Sequence, residues 1–174
     1  MPDPLRYPIG TVAEALAAPQ AFETSRGEIA AFPQLLRARV EGLTPEQLTA
    51  RYRPGSWTVR QLVHHCADSH AHALLRVKRA LTQAPRADVY GYDEAATAEL
   101  PDYNLPLAPA LAQLEGLHAR FAALLAGLTA EQRHASYFHH GDQRDVTVAE
   151  AATTYAWHGR HHLAHIALAL TNPR

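Results

Sequence analysis

The chain has 174 residues and a formal net charge of -1, a length that fits one domain. Lys78 is its only lysine, so the sequence indicates no basic face for a nucleic acid. Its first ten residues lack the basic start and apolar core of a signal peptide, and no stretch reaches the roughly 18 uncharged apolar residues that cross a bilayer. We therefore expect one cytoplasmic domain over residues 1–174, with no nucleic-acid or membrane partner.

Helical periodicity and helix caps organise the first half of the chain. A first helix is predicted over about Phe22–Leu43, with Pro33 as its weak point. The segment Thr44-Pro45-Glu46-Gln47 combines a threonine cap with proline and glutamine at favourable positions, which predicts a short helical turn. Thr58 is a second cap that opens a long helix reaching about Thr82.

The second half begins with a proline-rich segment. Residues 84–109 contain four prolines and are predicted to be mostly connection, with one or two helical turns near Asp93–Leu100. A 3.6-residue apolar period that includes His118 marks a third helix over about Leu111–Leu128. Tyr137–Val146 is expected to be a loop or small hairpin, and the last helix to run over about Val148–Leu170. Four long helices in one domain predict an all-α four-helix bundle, with a long connection between the second and third helices.

Histidine is the residue type that points to function. The chain has twelve histidines, and eight of them fall within His64–His72 and His158–His165. Cys66 is the only cysteine, which rules out an intrachain disulfide and a cysteine-rich zinc site. Since Cys66 lies on the apolar stripe of its helix, we interpret it as a buried structural thiol rather than a nucleophile. Any metal must then be held by nitrogen and oxygen.

The last helix contains two histidine pairs with the spacing of a metal site. Residues four apart on a helix lie on one face, close enough for two imidazoles to reach one metal. His158 with His162 and His161 with His165 both have this spacing, and spacing cannot choose between them. Solvated or hydrogen-bonded histidines on an alanine-rich helix would show the same pattern.

A third ligand has to come from another helix, because a catalytic zinc normally takes three protein ligands and keeps one position open. The helix that begins at Thr58 offers His64 and His65, and periodicity does not say which of them faces the last helix. Asp68 lies three residues after His65. Because metal-bound imidazoles commonly donate their other N–H to a carboxylate, we expect Asp68 to accept this bond rather than to bind the metal.

Three segments resemble one known family. Trp57–His70, Tyr155–Ile166 and the early Arg6–Gly10 are similar to the YfiT branch of the DinB/YfiT-like superfamily. Because these segments lie between residues 6 and 166, the resemblance covers nearly the whole chain. The resemblance implies an antiparallel four-helix bundle that is usually a homodimer. It also implies one zinc or nickel ion, bound by one histidine of the second long helix and two of the fourth.

Matched motif by motif, the resemblance assigns the metal ligands to His65, His161 and His165. The chain departs from its relatives at Gly159-Arg160, where they tend to have serine or other polar residues. Glycine inside a helix costs about 1 kcal/mol relative to alanine, so Gly159 indicates close packing or a ligand at this point.

The resemblance implies a metal-dependent enzyme acting on a small molecule, and three functions compete. The leading hypothesis is a thiol-S-transferase that conjugates a low-molecular-weight thiol of the bacillithiol type, as co-substrate, to an electrophile. The alternatives are a metal-dependent hydrolase that acts through bound hydroxide and a non-catalytic module that binds a metal or a small ligand. A vacant coordination position favours an enzyme, whereas a closed protein shell favours the binding module.

Overall fold

The computed structural model describes residues 3–83 and 86–171. Residues 84 and 85, at the start of the predicted connection, lie outside the described residues. The helices described are α1 Val12–Leu16, α2 Ala21–Val40, α3 Pro45–Thr49, α4 Val59–Thr82, α5 Glu94–Thr97, α6 Leu107–Ala126, α7 Ala130–His134 and α8 Val148–Thr171. The strands are β1 Ala87–Val89, β2 Ser136–His139 and β3 Arg144–Thr147, and a 3₁₀ helix occupies Pro101–Asn104.

Helices α2, α4, α6 and α8 form a four-helix bundle. Its principal contacts join α2 to α6 and α8, and α4 to the same two helices. The four helices therefore form a closed ring in which α2 lies across the core from α4. The predicted all-α four-helix bundle is confirmed. None of the described helices is both long enough and apolar enough to cross a bilayer.

The helix caps act where the sequence predicts them. The Thr58 hydroxyl accepts a hydrogen bond from the Gln61 backbone N–H, and α4 then runs to Thr82 as predicted. Pro33 does not interrupt α2, which continues through it. Proline has no N–H to bond the carbonyl four residues earlier, so the Ile29 carbonyl loses its partner within the helix.

The connection between α4 and α6 contains more structure than the sequence predicts. Strand β1 pairs with β2 in parallel, and β2 pairs with β3 as an antiparallel hairpin, which gives a sheet of order β1-β2-β3. The helical structure predicted near Asp93–Leu100 corresponds to α5, and the 3₁₀ helix follows directly after that segment. A strand of only three residues is too short for its alternating pattern to be recognised in a sequence. It also pairs with a strand about 50 residues away in the sequence.

The core consists of two apolar clusters with a layer of histidines between them. One cluster includes Ile29, Val77 and Phe121, and the other includes Leu36, Leu62 and Ile166. The buried histidines of the three helices α4, α6 and α8 lie between them along the bundle: His64, His65, His70, His118, His161, His162 and His165. A buried polar layer of this kind must be internally hydrogen-bonded or must bind a ligand.

Close packing of α8 against α2 explains Gly159. A Cβ atom at this position would lie 2.8 Å from the Phe32 ring, whereas one at Gly27 or Gly116 would meet nothing within 4 Å. We expect Gly159→Ala to lower the free energy of unfolding by about 1–3 kcal/mol, because the Phe32 ring has to move. Thermal and urea unfolding measure the effect.

Gly27→Ala and Gly116→Ala are matched controls for this prediction, since both glycines are helical and open. Each should leave stability unchanged or raise it, by up to about 1 kcal/mol, because alanine is the better helix former. A Gly159→Ala protein as stable as the two controls would contradict the packing argument.

Candidate metal centre

Three histidines from two helices converge at one point in the histidine layer. His65 Nε2 on α4 lies 3.1 Å from His158 Nε2 on α8. One turn along α8, His162 Nε2 lies 3.1 Å from the same His158 nitrogen. Candidate ligand atoms of the three residues all lie within 4.8 Å of one another. Among the residues that the structure describes, this is the group of potential ligands that could hold a metal ion.

The spacing and chemistry of the three nitrogens fit a divalent transition metal. Metal–nitrogen bonds of roughly 2.0–2.1 Å place neighbouring ligand atoms about 2.9–3.4 Å apart at octahedral to tetrahedral angles, and both measured separations fall in that range. Burial lowers the pKa of His65 to about 4. Burial is also the main cause that lowers the pKa of His158 and His162. All three imidazoles are therefore neutral at pH 7, the state that binds a metal.

The surroundings of the centre differ on its two sides. His65 and His162 are buried, whereas His158 is half-buried and is the most exposed of the three. The half-buried Trp57 packs over His65, with the ring centroids 4.4 Å apart, and lies 6.3 Å from His162. Trp57 therefore forms an aromatic wall beside the centre.

Of the predicted ligands, the structure places only His65 in this group. His161 stacks on Trp157 with the ring centroids 4.4 Å apart. His165 stacks on Tyr52 at 3.8 Å, and its Nε2 atom lies 3.3 Å from the Arg6 carbonyl oxygen. The structure thus brings His158 and His162, rather than the predicted His161 and His165, to His65.

Helix geometry separates the two pairs. At about 100° per residue, the direction midway between His161 and His165 lies roughly 60° around the helix axis from the direction midway between His158 and His162. Only one pair can point at His65. The packing of α8 against α2 and α4 turns the His158 and His162 side toward it.

Asp68 does not bond His65 as predicted. Its Oδ2 atom accepts a hydrogen bond of 2.8 Å from the Tyr103 hydroxyl, which belongs to the 3₁₀ helix of the long connection. Within the described residues, His65 Nδ1 has no hydrogen-bond partner. A spacing of three residues turns Asp68 about 60° away from His65 around α4, to the side that the connection covers. Asp68 therefore fastens the connection to α4.

The sequence profile of the DinB superfamily matches residues 28–166. The chain belongs to the DinB superfamily. It is 44% identical to a protein of Bacillus pumilus (strain SAFR-032) over 163 residues, 93% of each chain. It is 42% identical over 163 residues, again 93% of each chain, to a protein of Bacillus anthracis (strain A0248). Both relatives are named "Putative metal-dependent hydrolase".

A solved structure has the same fold. YfiT from Bacillus subtilis, described as "a probable metal-dependent hydrolase with an unusual four-helix bundle topology", matches with a TM-score of 0.86 and 37% sequence identity over 95% of both chains. The predicted resemblance to the YfiT branch is therefore confirmed. In the present protein, the bundle is arranged so that α2 lies across the core from α4.

Proposed function

We propose that the chain is a metal-dependent enzyme whose zinc or nickel ion is held by His65, His158 and His162. The observation that carries this proposal is the convergence of three neutral imidazole nitrogens, two pairs of them 3.1 Å apart, in a buried layer. The relatives named as metal-dependent hydrolases support the same conclusion. We also propose that the protein is cytoplasmic and acts on a small molecule, and that it is a homodimer, as the family resemblance implies.

An enzyme fits the donor set better than a non-catalytic module that binds a metal or a small ligand. A structural zinc site normally has four protein ligands, whereas a catalytic site has three and one open position. Within the described residues, three side chains converge. The most exposed of them is His158, so a small molecule would approach from its side.

Thiol transfer is our leading proposal for the reaction. A divalent metal here would act as a Lewis acid that holds a thiol as its thiolate or lowers the pKa of water. Three neutral ligands do not compensate its double positive charge, so an incoming anion is favoured. In the transfer, the thiol sulfur forms a bond to an electrophilic carbon, the leaving group departs with the bonding electrons, and the thiol proton passes to solvent.

Hydrolysis is the second candidate, and the names of the relatives favour it. The same three histidines would serve both reactions, because each reaction needs a neutral donor set, an open position and a site that is partly shielded from water. The two candidates differ in the co-substrate that they require, which is a low-molecular-weight thiol for transfer and water alone for hydrolysis.

A thiol panel separates the two reactions. We expect zinc- or nickel-loaded protein to accelerate conjugation of bacillithiol, mycothiol or glutathione to a chromogenic chloroarene, with release of chloride. Metal removal should lower the rate at least about 30-fold, because only a few per cent of a free thiol with a pKa near 8.5 is thiolate at pH 7. Cleavage of an ester or amide without thiol, together with no conjugation, would establish the hydrolase instead.

Cys66→Ala is the control for an internal thiol. Cys66 is fully buried in the apolar cluster that includes Leu36 and Leu62, and burial raises the pKa of its thiol. Activity should therefore be largely retained in this variant. Loss of conjugation in Cys66→Ala protein of normal stability would show that Cys66 takes part in the reaction.

A further inference from the structure

A chain of hydrogen bonds links the proposed metal centre to all four long helices. His158 Nδ1 on α8 lies 3.0 Å from His70 Nε2 on α4. His70 Nδ1 lies 2.8 Å from His118 Nε2 on α6. His118 Nδ1 lies 2.6 Å from the Ile29 carbonyl oxygen on α2. Both His70 and His118 are almost wholly buried, at 0% and 1% exposure.

Pro33 explains why the chain ends at this carbonyl. In a regular helix the Ile29 oxygen would accept from the N–H of residue 33, and proline has none. A buried carbonyl without a partner is costly. His118 supplies the missing donor from the neighbouring helix.

The carbonyl also sets the direction of every bond in the chain. A carbonyl oxygen can only accept, so His118 Nδ1 carries the hydrogen, and a neutral imidazole has only one. His118 Nε2 must then accept from His70 Nδ1, and His70 Nε2 must accept from His158 Nδ1. The last ring is left with a bare lone pair on Nε2, the atom that faces His65 and His162.

A second chain acts on His162 in the same way. His162 Nδ1 lies 3.3 Å from His165 Nδ1, and His165 Nε2 lies 3.3 Å from the Arg6 carbonyl oxygen. The Arg6 carbonyl accepts from His165, which in turn accepts from His162. The Nε2 lone pairs of His158 and His162 therefore face one another at 3.1 Å, an arrangement that a cation between them would stabilise.

We propose that His70 and His118 are positioning residues that hold His158 in its Nδ1–H tautomer, with Nε2 directed at the metal. The inference rests on the proposed metal centre and adds two residues that orient one of its ligands without binding the metal themselves. This series of hydrogen bonds cannot serve as a proton wire, because it ends on a carbonyl that takes up no proton. Its function is to fix the orientation and the tautomer of a ligand, as hydrogen-bond partners of metal-bound histidines commonly do.

The test is the zinc affinity of His70→Phe, measured by competition with a chromogenic chelator. Phenylalanine keeps the ring volume in the apolar contact with Phe32, whose ring centroid lies 5.1 Å from that of His70, but it cannot bond His158. We expect affinity to fall about 10- to 100-fold, with one zinc per chain still bound at saturation. His70→Gln, whose amide oxygen can accept from His158, should recover part of the loss.

His64→Phe is the matched control. His64 is also a buried histidine of α4, and its Nε2 atom lies 3.2 Å from the Leu105 carbonyl oxygen. It takes no part in the hydrogen bonds that link His158 to the Ile29 carbonyl. The zinc affinity of the His64→Phe variant should remain within a fewfold of that of the unsubstituted protein. An equal loss in both variants, or unchanged affinity in His70→Phe, would overturn the inference while leaving the proposed function intact.

Nitrogen-15 NMR tests the tautomer in the unsubstituted, metal-free protein, so it does not depend on whether His70→Phe folds. Long-range proton–nitrogen correlations should place the His158 hydrogen on Nδ1. A hydrogen on Nε2 would overturn the inference. Absence of zinc binding by the unsubstituted protein would instead refute the proposed metal centre, and with it the role of His70.

Discussion

Joint replacement of His158 and His162 by alanine should reduce bound metal from about one ion per chain to nearly none. The variant retains only His65 of the three converging nitrogens, and one imidazole cannot hold an ion that normally takes three or more protein ligands. Elemental analysis after saturation with zinc and gel filtration measures the stoichiometry.

His161→Ala with His165→Ala is the matched control, with the same residue types at the same spacing on the same helix. These rings stack on Trp157 and Tyr52 rather than facing His65, so the control should still bind one zinc ion at saturation. The zinc affinity of this control should fall, since His165 bonds the proposed ligand His162. The opposite outcome, with metal lost from the control and kept in the first variant, would restore the ligand set predicted from the family resemblance.

The metal-free protein should unfold on mild acidification, between about pH 6.5 and pH 4. Burial lowers the pKa of His65, His161 and His165 to about 4 in the folded state, against about 6.5 in an unfolded chain. Between these values the unfolded state binds more protons, so stability falls as the pH falls. The stability that the neutral buried histidines contribute is fully present above about pH 6.5 and is lost below about pH 4.

The loss of stability on acidification is large compared with the stability of a typical domain. A single fully buried histidine such as His65 contributes about 3 kcal/mol for a shift of this extent. The three histidines His65, His161 and His165 together would contribute roughly 10 kcal/mol, which is comparable with the 5–15 kcal/mol that stabilises a typical domain. Circular dichroism of the metal-stripped protein as a function of pH measures the midpoint, and bound metal should shift it to lower pH because the ligands must release the metal before they take up protons.

His161→Gln provides the internal comparison for the acid transition. This variant removes one buried group that takes up a proton on unfolding, so its stability should fall less between pH 7 and pH 5. His134→Gln, at an exposed position on α7, should leave the pH profile unchanged. Identical profiles for all three proteins would show that the buried histidines do not govern acid unfolding.

Local sequence signals determined the helices. The threonine caps at Thr44 and Thr58 act as the sequence predicts, because a cap involves atoms only three residues apart. Thr147 caps α8 in the same way. The two histidine clusters and the family resemblance also located the candidate site on α4 and α8. What the sequence did not reveal is the strand Ala87–Val89, whose pairing partner is distant in the chain.

Which histidine pair of α8 faces His65 was decided by the tertiary structure. Both histidine pairs of α8 have the same spacing, and only the rotation of α8 about its axis, set by its packing on α2 and α4, turns His158 and His162 toward His65. The same holds for Asp68, which the connection draws to Tyr103.

His118 shows the difference most clearly. In the sequence it is one member of the apolar period of the third helix, and a histidine in such a stripe is a weak signal by itself. In the structure it donates to the carbonyl that Pro33 leaves without a partner and accepts from His70. Periodicity determines which side of a helix is buried, but which atoms meet there depends on how four helices are rotated and shifted against one another, and only their packing fixes that.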